Sequence, residues 1–281
     1  MPDITSNQNP RVKALRALRE PRTRRRAGLM LIEGGKMLEE ARACGLRVRD
    51  VLYDPARVDA EFAGPGALSV APHVLESLCE TVSPQGIVAA VEPPAPVTLD
   101  ELCRRARGCR QCDDARSAGA PVERAQSGCP QGRALLLVAL DGVQDPGNVG
   151  TIWRTCDAAA FDGLLLSNSC PDEFSPKVLR ASMGAAFRVP ALRADLEHAL
   201  GELRGQGCAV VSSQLDGAPF FEGLPGGDVA LVIGNEARGV SEGVRALATH
   251  RLKLPMPGRA ESLNAAVAAG IMIYACISGR R

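Results

Sequence analysis

The hydrophobic positions in the first third of the chain alternate between helix spacing and strand spacing. These patterns predict helices at 10–20, 35–43 and from Pro72, and strands at 28–33, 48–53, 67–71 and 86–92. The segment Glu-Pro-Pro-Ala-Pro at 92–96 then ends regular structure, because proline fits neither a helix interior nor a strand interior. We therefore predict one small α/β domain over residues 1–95.

The middle of the chain loses this pattern, and the second half regains it with longer apolar runs. Residues 96–132 are rich in cysteine and arginine, so we predict a linker or insertion with one short helix at 99–107. From residue 133, continuous apolar strands alternate with helices, which is typical of a parallel sheet covered on both faces. The predicted strands are 135–140, 163–167, 208–213, 229–233 and 251–254. The predicted helices are 149–160, 176–186, 196–204, a short one after Ser241, and 263–278.

Composition fits a globular protein, with 46% hydrophobic and 23% charged residues among 281. Only 3% of residues are aromatic, which argues against an RNA surface built on stacked rings. No apolar stretch reaches the roughly 20 residues that span a bilayer. The N-terminus also lacks the apolar core of a signal peptide. We therefore expect a cytoplasmic protein without a membrane partner.

The net charge of +1 conceals a basic N-terminus. Residues 1–49 contain 12 Lys and Arg against 5 Asp and Glu, which favours a polyanionic partner such as nucleic acid. The basic residues of the first helix are equally explained as its solvated face. Those that follow Pro21 fall in a predicted turn, where a helix face cannot explain them. The candidate RNA contacts are Arg11, Lys13, Arg22, Arg24, Arg25 and Arg26.

Nine of the ten cysteines fall into two groups. Five lie singly in apolar surroundings and are expected in the core: Cys44, Cys79, Cys156, Cys208 and Cys276. Four others share one polar segment and could form a four-thiolate zinc site: Cys103, Cys109, Cys112 and Cys129. The outer spacings of this second group match no standard zinc ribbon, so reduced surface thiols are favoured and no metal is predicted.

Three loops that follow predicted strands carry the polar residues of a candidate site, since ligands bind at the carboxyl ends of parallel strands. The first, 140–150, leads into a helix containing Arg154, and we expect Asn148 to cap that helix. The second covers 233–240 and the third 254–264. None has the spacing of a dinucleotide loop or a phosphate loop. Taken singly, each is equally well explained as an ordinary turn rich in Gly and Pro.

Taken together, the loops resemble the motifs of the SpoU (TrmH-like) branch of the SPOUT methyltransferases, which modify ribose 2′-hydroxyls in rRNA or tRNA. The first motif corresponds to Asn148 and Arg154 within DPGNVGTIWRT. The second corresponds to Gly234, Glu236 and Gly239 within IGNEARG, and the third to Pro255, Met256, Gly258, Ser262, Leu263 and Asn264. The resemblance covers residues 135–278. Residues 1–92 are similar, through ITSNQNPRVK and GLMLIEG, to the small ribosomal-protein-like substrate-binding domain of many such enzymes.

The resemblance implies an α/β architecture in which that small domain precedes a C-terminal SPOUT domain, residues 133–281, with a parallel sheet and a trefoil knot. The alanines and Gly270 of the last helix suit such a knot, and they suit a buried helix in an unknotted sheet equally well. The resemblance also implies a homodimer with its active site near the subunit interface, and S-adenosylmethionine as cofactor. It assigns cofactor binding to Gly234, Leu254, Met256, Ser262 and Leu263, and catalysis to Arg154, Asn148, Glu236 and Asn264.

The chemistry of these residues narrows their roles. A guanidinium hardly ever deprotonates, so we expect a charged Arg154 that holds a phosphate and stabilises the developing alkoxide, and the proton acceptor stays open. Asn148 and Asn264 would orient ribose and arginine. Glu236 would pair with Arg154 or its neighbours, or cap the helix after Gly239. Ser262 also fits a helix N-cap, and Gly234 would let the backbone approach the cofactor.

The appended N-terminal domain favours large-subunit rRNA over tRNA as the substrate. A tRNA ribose methyltransferase stays open as an alternative. So does a non-catalytic RNA-binding or assembly factor, although such a protein would have eroded motifs. A different small-molecule transferase in an unknotted nucleotide-binding fold would have no use for the basic N-terminus.

Overall fold

The computed structural model describes residues 2–81, 83–107 and 134–278, without the side chains of Leu215 and Asp216. Up to residue 107 the helices are α1 (Pro10–Ala17), α2 (Pro21–Ala27), α3 (Gly35–Ala43), α4 (Ala60–Ala63), α5 (Pro72–Glu76) and α6 (Leu99–Arg107). The strands there are β1 (Met30–Glu33), β2 (Val48–Tyr53), β3 (Leu68–Ser69) and β4 (Ile87–Val91). The remainder of the predicted linker lies outside the described residues.

From residue 134 the strands are β5 (Leu136–Asp141), β6 (Gly163–Leu166), β7 (Ala191–Arg193), β8 (Ala209–Pro219), β9 (Val229–Gly234) and β10 (His250–Lys253). The helices are α7 (Pro146–Ala158), α8 (Pro176–Ser182), α9 (Ala185–Arg188), α10 (Leu196–Gly205), α11 (Glu242–Leu247) and α12 (Ala265–Ser278). Among the described residues, no helix combines the length and apolar character needed to cross a membrane.

The chain divides into two compact units. The first comprises Met1–Ala95 with Pro171–Arg188, and the second comprises Pro96–Cys170 with Val189–Arg281. In the first unit, β4 lies between β1 and β2 and runs antiparallel to both, while β3 is parallel to β2. Its core is formed by apolar side chains of α1, α5 and the sheet, including Val12, Leu15, Leu31, Leu52, Val74 and Val88.

The basic segment after Pro21 is helix α2, which corrects the predicted turn. Arg24 is only 4% exposed, and its guanidinium donates to the backbone oxygens of Leu18 and Arg19 at 2.7 and 2.6 Å. It also pairs with Asp172 at 3.0 Å. This burial contradicts the prediction that Arg24 contacts RNA, because its guanidinium is already paired with a carboxylate and backbone oxygens of the first unit.

The second unit contains a six-stranded sheet in the order β10-β8-β9-β5-β6-β7, and every neighbouring pair is parallel. This confirms the predicted parallel sheet. Trp153 of α7 is fully buried against it, and its indole N–H donates to the Val189 carbonyl at 2.9 Å. At one edge β5 and β9 end together, since Asp141 pairs with Gly234.

Further differences from the prediction are an interrupted helix and an additional strand. The helix expected at 176–186 breaks into α8 and α9, because Met183 and Gly184 adopt left-handed backbone angles with φ of 51° and 86°. The strand β7 was not predicted, since its three residues are only half-buried and form no continuous apolar run.

The cysteines expected in the core are buried except Cys44, which is half-buried. Cys103 is also buried, at 5% exposure among the apolar residues of the second unit, which corrects its prediction as a surface thiol. The other members of that segment, Cys109, Cys112 and Cys129, lie outside the described residues.

Candidate active site

One side chain from each of the three candidate loops joins a single chain of hydrogen bonds. The amide of Asn264 donates to Oδ1 of Asn148 at 3.0 Å, and the amide of Asn148 donates to Oε1 of Glu236 at 2.9 Å. The carboxylate of Glu236 also accepts the backbone N–H of Gln144 at 3.0 Å and that of Asp145 at 3.3 Å. The structure thus brings together three of the four predicted catalytic residues.

Helix α7 begins one turn earlier than predicted. Asp145 is its N-cap, with Pro146 at the first helical position and the Asp145 carboxylate accepting the backbone N–H groups of Gly147 and Asn148. The prediction that Asn148 caps this helix is therefore wrong. Its side chain is left free to bridge the other two loops.

The second loop folds back on itself directly after β9. Asn235 and Gly239 exchange backbone hydrogen bonds of 3.0 and 2.9 Å, so a Cβ on Gly234 would lie 2.3 Å from the Gly239 carbonyl carbon. Gly234 is therefore required by the packing of its own loop, whether or not the cofactor also approaches it.

Asn235 organises this loop, although it was not among the site residues predicted from the sequence. Its amide donates to the Gly142 carbonyl at 2.7 Å, and its Oδ1 accepts the N–H groups of Ala237 and Arg238, both at 3.0 Å. The available signal was the position of an asparagine directly after a strand and a glycine, where its side chain commonly forms a turn.

The third loop ends at Asn264, which is the N-cap of α12. Its Oδ1 accepts the N–H groups of Ala266 and Val267 at 2.9 and 3.2 Å, while its amide reaches Asn148. Ser262 is exposed and lies before this cap, so its predicted capping role is wrong. Of the apolar cofactor candidates, Leu254 and Met256 are half-buried and Leu263 is 39% exposed.

Glu236 is held ionised by its surroundings. Its partial burial alone would raise the pKa of this carboxyl group. The hydrogen bonds from the Gln144 N–H, the Asn148 amide and the Asp145 N–H outweigh that effect, and the net pKa lies below the ordinary 4.5.

Arg154 lies apart from this network. It is exposed on α7, and within the described residues it forms no hydrogen bond or ion pair, so the expected pairing with Glu236 is not observed. Six residues separate it from Asn148, which corresponds to about 9 Å along the helix axis and about 120° around it. The guanidinium is therefore available to a ligand beside the network.

The second unit also contains a buried polar residue that was not predicted from the sequence. Gln214 of β8 is 8% exposed, its amide nitrogen donates to Ser212 Oγ at 2.9 Å, and its Oε1 has no hydrogen-bond partner in the described structure. No sequence pattern signalled it, because a single glutamine in a strand gives no indication of burial.

The predicted RNA contacts of the first unit other than Arg24 are exposed: Arg11, Lys13, Arg22, Arg25 and Arg26. Arg11 has an exposed partner in Asp50, at 3.6 Å. Over the ranges that the structure describes, no group of three His, Cys, Asp or Glu side chains is placed to hold a metal ion.

Comparison with known proteins identifies the class of enzyme. The model of the SpoU rRNA Methylase family matches residues 135–274, and that of the MRM3-like substrate binding domain matches residues 9–89. The parallel sheet and the network at its carboxyl edge thus belong to an RNA 2′-O-methyltransferase that uses S-adenosylmethionine. The chain belongs to the SpoU rRNA methylase family.

Individual relatives resemble the chain over its whole length. It is 32% identical to the 23S rRNA (guanosine(2553)-2′-O)-methyltransferase RlmP of Bacillus subtilis, over 98% of each chain. The AdoMet-bound rRNA methyltransferase from Sinorhizobium meliloti superposes with a TM-score of 0.78 at 30% identity, over 98% of this chain and 97% of that one. The SpoU methyltransferase AviRb from Streptomyces viridochromogenes, in complex with AdoMet, gives 0.76 at 28%, over 97% and 98%.

The residues at the carboxyl edge fit an adenosyl cofactor. Leu254, Met256 and Leu263 leave apolar surface available in the third loop, which suits a purine ring. The unpartnered oxygen of Gln214 is a buried acceptor, which suits a ligand that carries a hydrogen-bond donor.

Proposed function

We propose that this protein methylates a ribose 2′-hydroxyl of large-subunit ribosomal RNA. The chain of hydrogen bonds from Asn264 through Asn148 to Glu236 carries the proposal, because it joins all three family motifs at the carboxyl edge of the sheet. The rRNA assignment is supported by the Bacillus subtilis relative and by the 23S rRNA (uridine(2479)-2′-O)-methyltransferase of Streptomyces viridochromogenes, which is 30% identical over 99% of this chain and 92% of its own.

S-adenosylmethionine supplies an electrophilic methyl group, so the protein has to align the acceptor oxygen and stabilise the charge that develops on it. We assign the second task to Arg154, whose guanidinium is exposed and free of protein partners in the described structure. It remains charged, holds the phosphate next to the target ribose with two parallel N–H groups, and stabilises O2′ as the O2′–methyl bond forms and the hydroxyl proton passes to solvent water.

The network orients the substrate. Glu236 is a poor general base, because it accepts hydrogen bonds from Gln144, Asp145 and Asn148 and its pKa is lowered. Its role is to hold the Asn148 amide, and Asn264 holds the other end of that side chain. Asn148 and Asn264 then face the ribose with a defined orientation. We assign cofactor contacts to Gly234, Leu254, Met256, Ser262 and Leu263.

Residues 1–95 are proposed to bind the RNA substrate, residues 96–132 to form the linker or insertion, and residues 133–281 to form the catalytic domain. The exposed side chains of Arg11, Lys13, Arg22, Arg25 and Arg26 support RNA binding by the first of these. We also propose a cytoplasmic location, which the bacterial rRNA methyltransferases among the relatives support.

A homodimer is proposed because α12 leaves an apolar stripe exposed. Val267, Ile271 and Tyr274 lie on one face of this helix with exposures of 52%, 39% and 50%. A second copy of the chain is the occupant that the family resemblance implies. A trefoil knot formed by the C-terminal segment is proposed on the same resemblance, and the packing of α12 against α7 and β9 supports it.

Methyl transfer to defined RNAs tests the proposed function. Purified protein is incubated with methyl-tritiated S-adenosylmethionine and unmodified 23S rRNA, 16S rRNA or tRNA, and the labelled position is mapped by resistance to alkaline hydrolysis. Label in 23S rRNA at an alkali-resistant ribose supports the proposal. Label confined to tRNA would show that tRNA is the substrate in place of rRNA. Label in none of the three RNAs would overturn the enzymatic assignment.

A further inference from the structure

Strand β8 is irregular at the carboxyl edge of the sheet. Its pairing with β10 shifts abruptly, since Arg251 pairs with Ser212 whereas Leu252 pairs with Ala218. The intervening residues 213–217 therefore have no partner on β10. On the other side Ser212 pairs with Val232 of β9. This is the last residue pair of β8 and β9, and Gln214 and Gly234 each follow it by two residues on their own strands.

The irregular segment is closely packed. A Cβ on Gly217 would lie 2.6 Å from the carbonyl carbon and oxygen of Arg251 and from the nitrogen of Leu252. Only glycine allows this approach, so the backbone that follows Gln214 is tightly confined by β10. Gln214 therefore lies between the last residue that pairs with β9, Ser212, and the closely packed Gly217.

Of the two polar atoms in the Gln214 side chain, only the nitrogen has a hydrogen-bond partner in the described structure. Its amide nitrogen donates to Ser212 Oγ, and Ser212 is fully buried. Its oxygen is buried without a partner in the described structure. Buried acceptors of this kind are rare because leaving one unpaired is costly, and a bound ligand that carries a donor relieves that cost.

We propose that Oε1 of Gln214 accepts a hydrogen bond from the exocyclic amino group of the cofactor's adenine and so selects adenine over a 6-oxopurine. The inference rests on the proposed function and assigns a specificity residue to its cofactor site. Adenine presents an N–H donor at its 6-position, whereas hypoxanthine presents an oxygen there. An oxygen facing the buried Gln214 oxygen would leave both acceptors unpaired and would repel.

The test compares the binding of S-adenosylhomocysteine and S-inosylhomocysteine to the full chain by isothermal titration calorimetry. We expect the wild type to prefer the adenine compound by about tenfold or more, because one buried hydrogen bond is at stake. Gln214→Met keeps the side-chain length but removes the acceptor, so the preference should fall to within about twofold. Gln214→Glu keeps an oxygen at this position, and Ser212 can reverse to donate to it, so the preference should persist.

Three outcomes would overturn the inference. In the first, Gln214→Met weakens both compounds equally, as a purely structural role requires. In the second, the wild type prefers the inosine compound, which would mean that the amide nitrogen faces the ligand. In the third, Gln214→Glu also loses the preference while thermal unfolding shows it folded. If neither variant folds, a wild type that binds both compounds equally well still overturns the inference. Failure of the wild type to bind either compound would instead overturn the proposed function.

Discussion

Asn264 donates its side-chain amide to Asn148 Oδ1 at 3.0 Å, which links residues 116 positions apart in sequence. The same Asn264 side chain caps α12 through its oxygen, so one residue both begins the last helix and orients the first motif. The two functions use different atoms of the amide, and substitution can separate them.

Asn264→Asp should separate capping from orientation. Aspartate keeps the capping oxygen, so the free energy of unfolding should stay within about 0.5 kcal/mol of the wild type, whereas Asn264→Ala should lose about 1 kcal/mol. Both variants lack the donor to Asn148, so both should lower kcat/KM for methyl transfer by about tenfold or more. Chemical denaturation and steady-state kinetics measure the two effects. Activity retained in Asn264→Asp would show that the bond to Asn148 has no catalytic role.

Glu236 should contribute to the pH dependence of stability. Its pKa is lowered in the folded protein from 4.5, so folding favours the ionised carboxylate. This stabilisation is fully present above pH 4.5 and is lost as the pH falls through the lowered folded-state pKa. Glu236→Gln removes the titrating group and should make the acid-side decline in unfolding free energy shallower. The exposed Glu222→Gln serves as control and should leave that decline unchanged.

Substitutions of neighbouring arginines in α2 should differ in their effects on stability and on RNA binding. Arg24→Ala removes one partner of a buried ion pair with Asp172 and should cost about 3–5 kcal/mol of stability. Arg25→Ala and Arg26→Ala alter exposed side chains and should change stability by less than about 0.5 kcal/mol. Each of these two should also weaken RNA binding and reduce its salt slope by about 1. An unchanged salt slope in both variants would show that Arg25 and Arg26 are solvated side chains that do not contact RNA.

The apolar stripe on α12 should hold two copies together. Tyr274→Glu introduces a charge among Val267 and Ile271, so light scattering after gel filtration should find a monomer where the wild type is a dimer. Arg204→Glu, which introduces the same acidic side chain at an exposed position of α10, is the control and should remain dimeric. A dimeric Tyr274→Glu would rule out this stripe as the subunit interface.

The sequence predicted the elements whose signals are local. Helix α3 and strand β2 have the predicted bounds, because their apolar spacing and flanking turns are contained within a few residues. The three motif loops were found by family resemblance, and local patterns alone would have left them as turns.

The features that the sequence did not predict depend on distant partners. Arg24 carries the same charge as its neighbours, and only Asp172, 148 residues further on, explains its burial. The break between α8 and α9 depends on the left-handed backbone of Met183, a residue type that rarely adopts it. Gln214 likewise is buried in a segment of β8 where the register with β10 shifts, which no periodicity encodes.

The role of Arg154 is the central claim, and single-turnover methyl transfer by Arg154→Ala tests it most directly. With tritiated S-adenosylmethionine and unmodified 23S rRNA, we predict a rate at least about 100-fold below the wild type, while cofactor affinity stays within a few-fold. Arg154→Lys should recover only part of the rate, since lysine keeps the charge but not the paired N–H groups. Transfer by Arg154→Ala at the wild-type rate, or loss of cofactor binding in its place, would contradict the account.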